Sequence, residues 1–171
     1  MKRRFAAGYA LLAVLMLAGC AGYHLGPSNG NLAGAHSIQI EPFVNQTTEP
    51  RLVDYVMNSL RKSLQQDGTY RLATHDAGDV IVAGEITSYT PVGLSVQPTD
   101  VLTVVDYQIT MTVRITARDR ATGKVLFDKP VKGRTTLRAG QDLTSAERQA
   151  IPLLAEDFAK NATDLLGNVT W

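Results

Sequence analysis

The chain has 171 residues, with 17 Lys and Arg against 16 Asp and Glu. That balance leaves no global basic field and speaks against a nucleic-acid-binding protein. Its single cysteine, Cys20, excludes an intrachain disulfide.

Lys2, Arg3 and Arg4 open the chain as a basic segment, and Phe5 to Leu17 follow as a mostly apolar run. The run falls short of the about 20 apolar residues that span a bilayer core. Basic start and small-residue end together predict a secretory signal over residues 1–19. Leu17-Ala18-Gly19-Cys20 resembles the lipobox read by lipoprotein signal peptidase. Cys20 is therefore the expected lipid anchor, which gives an otherwise unpaired thiol in an oxidising compartment a use. Several acyl chains on one cysteine give stable anchoring where one gives marginal binding. Ala21 in place of an aspartate resembles lipoproteins sorted to the outer membrane. Three of the 17 basic residues leave with the signal, so the mature balance is 14 against 16, or −2.

Residues 20–36, rich in Gly, Ser and Asn, predict an acylated tether, and 37–171 a single domain. Ser37 to Glu41 alternates as a half-buried strand does, and Pro42 ends it. Thr48 or Glu49 is a plausible N-cap with Pro50 in the first turn. Leu52, Val53, Val56, Met57, Leu60 and Leu64 then mark an apolar helix face, closed at Gly68. Tyr70 to Thr74 predicts a short edge strand. Val80 to Tyr89 predicts a stronger one with a bulge at Gly84, and Pro91 to Thr99 a loop. From Val105 to Arg118, apolar Val105, Tyr107, Ile109, Met111, Val113, Ile115 and Ala117 alternate with polar residues, the pattern of a strand with one wet face. A turn at 119–124 leads to a returning strand, Val125 to Leu137. Thr144-Ser145-Ala146-Glu147 matches a capping box. The helix after it carries Ile151, Leu154, Ala155, Phe158, Ala162, Leu165 and Leu166 on one face, with Pro152 expected to kink it or divide off a short first turn. The expected architecture is α+β: two helices on one face of a mainly antiparallel sheet of about four strands, in the order β-α-β-β-β-α.

Local marks of catalysis are absent from the sequence. His24, His36 and His75 have no metal-ligand spacing, and no nucleophile elbow or S-x-x-K motif occurs. Neither a metal nor another cofactor is expected, and the chain reads as no enzyme. What stands out is the wet face of the long strand, where two arginines and several threonines line a surface that helices on the other side leave open.

Gly22-Tyr23-His24-Leu25 directly after Cys20, the stretch Ile40 to Pro50, the strand Asp106-Tyr107-Gln108-Ile109-Thr110-Met111-Thr112-Val113 and the turn Arg120 to Leu126 resemble, in order, the lipopolysaccharide-assembly lipoprotein family LptE. The resemblance implies an outer-membrane lipoprotein facing the periplasm that plugs the lumen of a large LptD-type barrel, helps it assemble and binds lipopolysaccharide. A polar barrel interior suits a domain with an open polar sheet face. The family's lipopolysaccharide-contacting basic residues lie in loops at one end of the sandwich. Pro91 to Thr99 carries no basic residue, which leaves Arg134, Arg138 and Lys132, before the second helix, as candidates for lipid A phosphates. Two other readings remain open at this point: a free-standing structural or envelope-biogenesis lipoprotein, and a lipid-anchored hydrolase.

Overall fold

The computed structural model describes residues 37–74, 77–138 and 143–168. The signal segment, Cys20, the tether and all three histidines lie outside the described residues.

Eight elements follow one another: β1 (Ser37–Ile40), β2 (Val44–Asn45), α1 (Leu52–Asp67), β3 (Arg71–Leu72), β4 (Val80–Gln97), β5 (Asp100–Asp119), β6 (Val125–Arg138) and α2 (Leu143–Gly167). They form two helices and one sheet in the order β3-β1-β4-β5-β6, with β2 also paired to β4. The expected α+β class holds, but the sheet has six strands and is mixed. β1 runs parallel to both β3 and β4, and β2 parallel to β4. The reason is the crossover: parallel neighbours need a long connection, and α1 supplies it between β1 and β3. Only the β4-β5-β6 meander is antiparallel.

Local chemistry explains the entry into α1. The Asn45 side chain accepts the Thr47 N–H (2.9 Å) and donates to the Glu49 carbonyl (2.9 Å). Glu49 in turn accepts the Arg51 N–H on its carboxylate (3.4 Å). Arg51, not the expected Thr48 or Glu49, occupies the cap position and makes no side-chain cap bond, so Glu49 acts from two residues before the cap. At the other end Gly68 takes φ 71° and its N–H reaches the Leu64 carbonyl, the expected left-handed closure.

Several expectations are revised. The β4–β5 pairing shifts register at Thr87, between Ile86 and Ser88, and again between Gly93 and Gln97. Gly84 is regularly paired with Ile115, and the Phe43 ring lies where any Cβ would project. Residues Pro91 to Gln97, expected as loop, continue β4 opposite β5, so the two strands form a long hairpin turning at Pro98 and Thr99. The edge strand near Tyr70 shrinks to two residues. α2 begins at Leu143, which puts Thr144 inside the first turn, and the residue before it is outside the described ones. Pro152 does not divide the helix, which is continuous from Leu143 to Gly167.

One face of the sheet is dry. Ile109, Met111, Val113, Ile115 and Ala117 are fully buried, as expected from their alternation, against Leu154, Phe158 and Leu166 of α2 and Leu52, Val56 and Leu60 of α1. Thr163 donates to Ser63 (2.8 Å) between the helices, and the Tyr70 hydroxyl donates to the Leu166 carbonyl (2.9 Å). These bonds satisfy polar groups that burial would otherwise penalise.

Candidate functional site

The site is built on the other face of the sheet. Because side chains alternate across a strand, burying Ile109 to Ala117 presents Asp106, Gln108, Thr110, Thr112, Arg114, Thr116 and Arg118 on the opposite side. Strand register aligns these with β4 and β6 in rows: Ser88, Thr112 and Lys132; Thr90, Thr110 and Arg134; Val92, Gln108 and Thr136; Ser95, Asp106 and Arg138. All are exposed or half-buried.

Lys132 and Arg134 lie in the strand expected over Val125 to Leu137, and Arg138, expected on the approach to α2, lies in β6 with them. Lys132, Arg134 and Arg138 stand at alternate positions of β6 and share the open face with Arg114 and Arg118. The spacing Lys132-x-Arg134-x-Thr136-x-Arg138 was the signal for this, since period-2 placement puts all four on one side.

The cations on this face differ in what they touch. Arg114 makes a bidentate pair with Asp128, both bonds 2.7 Å. The hydrogen bonds raise the Arg114 pKa and hold the Asp128 carboxyl below the usual carboxylate range. Arg118 lies 3.8 Å from Glu41, and Arg138 lies 3.6 Å from Asp106. Among the described residues, the Lys132 and Arg134 side chains have no such carboxylate partner.

Their backbone, by contrast, is held. The Arg134 N–H donates to Asp157 of α2 (2.8 Å), and Asn161 of α2 donates to the Lys132 carbonyl (3.0 Å). Between them Gly133 lets the helix close on the strand: a Cβ there would meet the Leu154 carbonyl oxygen at 2.6 Å and the Phe158 Cβ at 2.7 Å. An edge strand normally exposes unpaired backbone groups. Here Pro130 lacks an N–H, and α2 occupies the groups at Lys132 and Arg134. None of Gly133, Asp157 and Asn161 was singled out from the sequence, because their contacts join segments about two dozen residues apart.

From the Val92 row outward the β4–β5 hairpin carries Val92, Leu94 and Val96 at 54%, 55% and 41% exposure. At its base the Tyr89 hydroxyl is buried without a partner among the described residues, and its pKa is raised to about 12, first by burial, then by Glu147 and Glu49. Among the described residues no group of three or more His, Cys, Asp or Glu is placed to hold a metal, and no helix is long and apolar enough to cross a membrane.

Comparison with known proteins agrees with the resemblance read from the residues. No curated protein sequence matches the chain. A hypothetical protein of Chlamydia trachomatis has a similar structure, with TM-score 0.58 and 11% identity over 78% of this chain and 96% of that one. A minor lipoprotein of Acinetobacter baumannii gives TM-score 0.51 and 14% identity over 77% and 92%. At such identities the likeness is one of fold. The model of the lipopolysaccharide-assembly family LptE matches residues 35–165, which takes in every described strand and most of α2. The chain belongs to the LptE lipopolysaccharide-assembly family.

Proposed function

We propose that the chain is an outer-membrane lipoprotein, anchored through Cys20, whose body fills the lumen of an LptD-type β-barrel. There it assists barrel assembly and binds lipopolysaccharide on its way to the outer leaflet. Lys132, Arg134 and Arg138 are the proposed contacts for lipid A phosphates. Membership of the LptE family supports this reading, and the observation that carries it is the open sheet face. Three strands present a surface of threonines, amides and cations, broken by Val92, while Ile109, Met111, Val113, Ile115 and Ala117 of the long central strand are turned to the helices. A polar barrel interior accepts such a surface without exposing hydrocarbon to water, and phosphates meet charge-assisted donors on it. The chain acts by binding and placement, with no reaction of its own.

The test is affinity purification of the acylated protein from detergent-solubilised outer membrane. Co-purification of one large β-barrel protein in stoichiometric amount is expected. Recovery of small periplasmic partners alone would contradict the proposal.

A further inference from the structure

We infer that the open face is an oriented amphiphile site, with a phosphorylated headgroup held over Lys132 and Arg134 and acyl chains laid along Val92 and Val96 of the protruding hairpin. This rests on the lipopolysaccharide-binding reading above and adds where the ligand's two ends go.

The first argument is electrostatic. Of the five cations on β5 and β6 that face this side, three already have a carboxylate within 3.8 Å, namely Arg114, Arg118 and Arg138. An incoming anion at any of those must compete with an internal partner. Lys132 and Arg134 offer charge with no internal competitor among the described residues. Cross-strand Thr112 and Thr110 stand directly opposite them and add hydroxyl donors. The strand under the pair is fixed by Asp157, Asn161 and the Gly133 contact with α2. A fixed strand lowers the ordering cost of binding.

The second argument is the exposed apolar side of the β4–β5 hairpin. One row beyond Arg134 the β4 position is Val92, paired to Gln108; the row of Ser95 and the Asp106–Arg138 pair follows, and beyond it Val96 pairs with Val104. Successive same-face positions are about 6.8 Å apart along a strand. Val92 is thus one step from the cationic row, and Val104 lies roughly 20 Å from Thr110 along β5. One leaflet's hydrocarbon, about half of the roughly 30 Å core, covers most of that distance. A two-stranded ribbon is marginal in water by itself, and solvent-facing Val92 and Val96 are stabilised when hydrocarbon covers them.

Titration of the full-length acylated protein, in nonionic detergent at low salt, with bisphosphorylated lipid A, dephosphorylated lipid A and phosphatidylglycerol tests the site. Wild type is expected to bind the bisphosphorylated form about ten-fold or more tighter than the dephosphorylated one, since two charge-assisted contacts are at stake. K132A/R134A removes that preference, the charge-conserving K132R/R134K retains it, and R114A/R118A retains most of it. Lipid A carrying a photoreactive group at an acyl terminus should label the 92–96 segment. Wild-type binding that K132A/R134A leaves untouched, or that R114A/R118A abolishes, would overturn this site while leaving lipopolysaccharide binding intact. Acyl labelling confined to the helices would overturn the orientation. Equal affinity for phosphatidylglycerol would assign the site to phospholipid and overturn lipid A as its ligand. No binding of any lipid by wild type would remove both this inference and the reading beneath it.

Discussion

Gly133→Ala probes how the cationic strand is held. The added Cβ would lie 2.6 Å from the Leu154 carbonyl oxygen, 2.7 Å from the Phe158 Cβ and 3.0 Å from the Phe158 nitrogen. Two of these are helix backbone atoms and the third is a Cβ, so no rotamer change relieves the collision and α2 must lift from β6. A lift of roughly 0.5–1 Å forfeits a quarter to a half of each dispersion contact it opens, and the residues involved include the fully buried Leu154 and Phe158. Overpacking of this kind costs about 1–3 kcal/mol, while a stiffer unfolded chain returns about 0.4–1 kcal/mol. The net expectation is about 1–2 kcal/mol lost, with a Tm about 2–8 °C lower for a domain of this size. Gly123→Ala is the control: it has φ 71° and open space around the added Cβ, so it costs about 1 kcal/mol by backbone strain alone. Urea denaturation of both variants, with hydrogen exchange at the Arg134 amide, separates the mechanisms. Gly133→Ala should also speed exchange at Arg134, because its bond to Asp157 spans the displaced interface; Gly123→Ala should not. A Gly133→Ala protein as stable as wild type would refute the helix-on-strand argument.

The two faces of β5 should respond oppositely to charge. Val113→Asp buries an unpaired carboxylate at a site with 0% exposure and should cost several kcal/mol, whereas Thr110→Asp should be nearly neutral in thermal melts; equal losses would mean the faces are assigned wrongly. Tyr89 gives a pH signature. Its folded pKa, about 12, exceeds the ordinary value of 10.0, so the folded state keeps a proton that the unfolded chain releases. Stability from this group is present below pH 10 and falls as pH rises towards 12, by about 1–2 kcal/mol after discounting for partial exposure. Tyr89→Phe should flatten that decline in alkaline denaturation, and an unchanged slope would count against the buried hydroxyl. Cys20→Ser should abolish palmitate labelling and leave the chain unprocessed or soluble in the periplasm, since the thiol is the proposed acylation site; persistent labelling would contradict the anchor.

The dry and wet faces of the long strand were legible in the sequence because strict alternation over Val105 to Arg118 has one structural reading. Both helices were visible for the same reason, through apolar residues at helical spacing. The parallel pairing of β1 was not. A four-residue strand before a helix carries no mark of which neighbour it will join, and that choice is made by where α1 crosses. Pro91 and Gly93 disguised the outer half of β4 as a loop. Both are tolerated there because nothing pairs with that strand's outer edge among the described residues, and edge positions accept proline. Lys132 and Arg134 lie in the strand expected over Val125 to Leu137, whereas Arg138 was read as part of the approach to α2, when β6 runs through it. Which cations stay uncompensated depends on Asp128, Glu41 and Asp106, whose proximity only the register of the folded sheet determines.

The most direct test of the barrel-plug account places photoreactive residues on two opposite sides of the body in living cells: at Thr116 on the open face, and at Lys160, exposed on α2. A domain enclosed in a lumen is surrounded on every side. The account therefore predicts that both positions form adducts with the same large outer-membrane barrel protein. Adducts from one side only, or exclusively with small periplasmic proteins, would contradict enclosure.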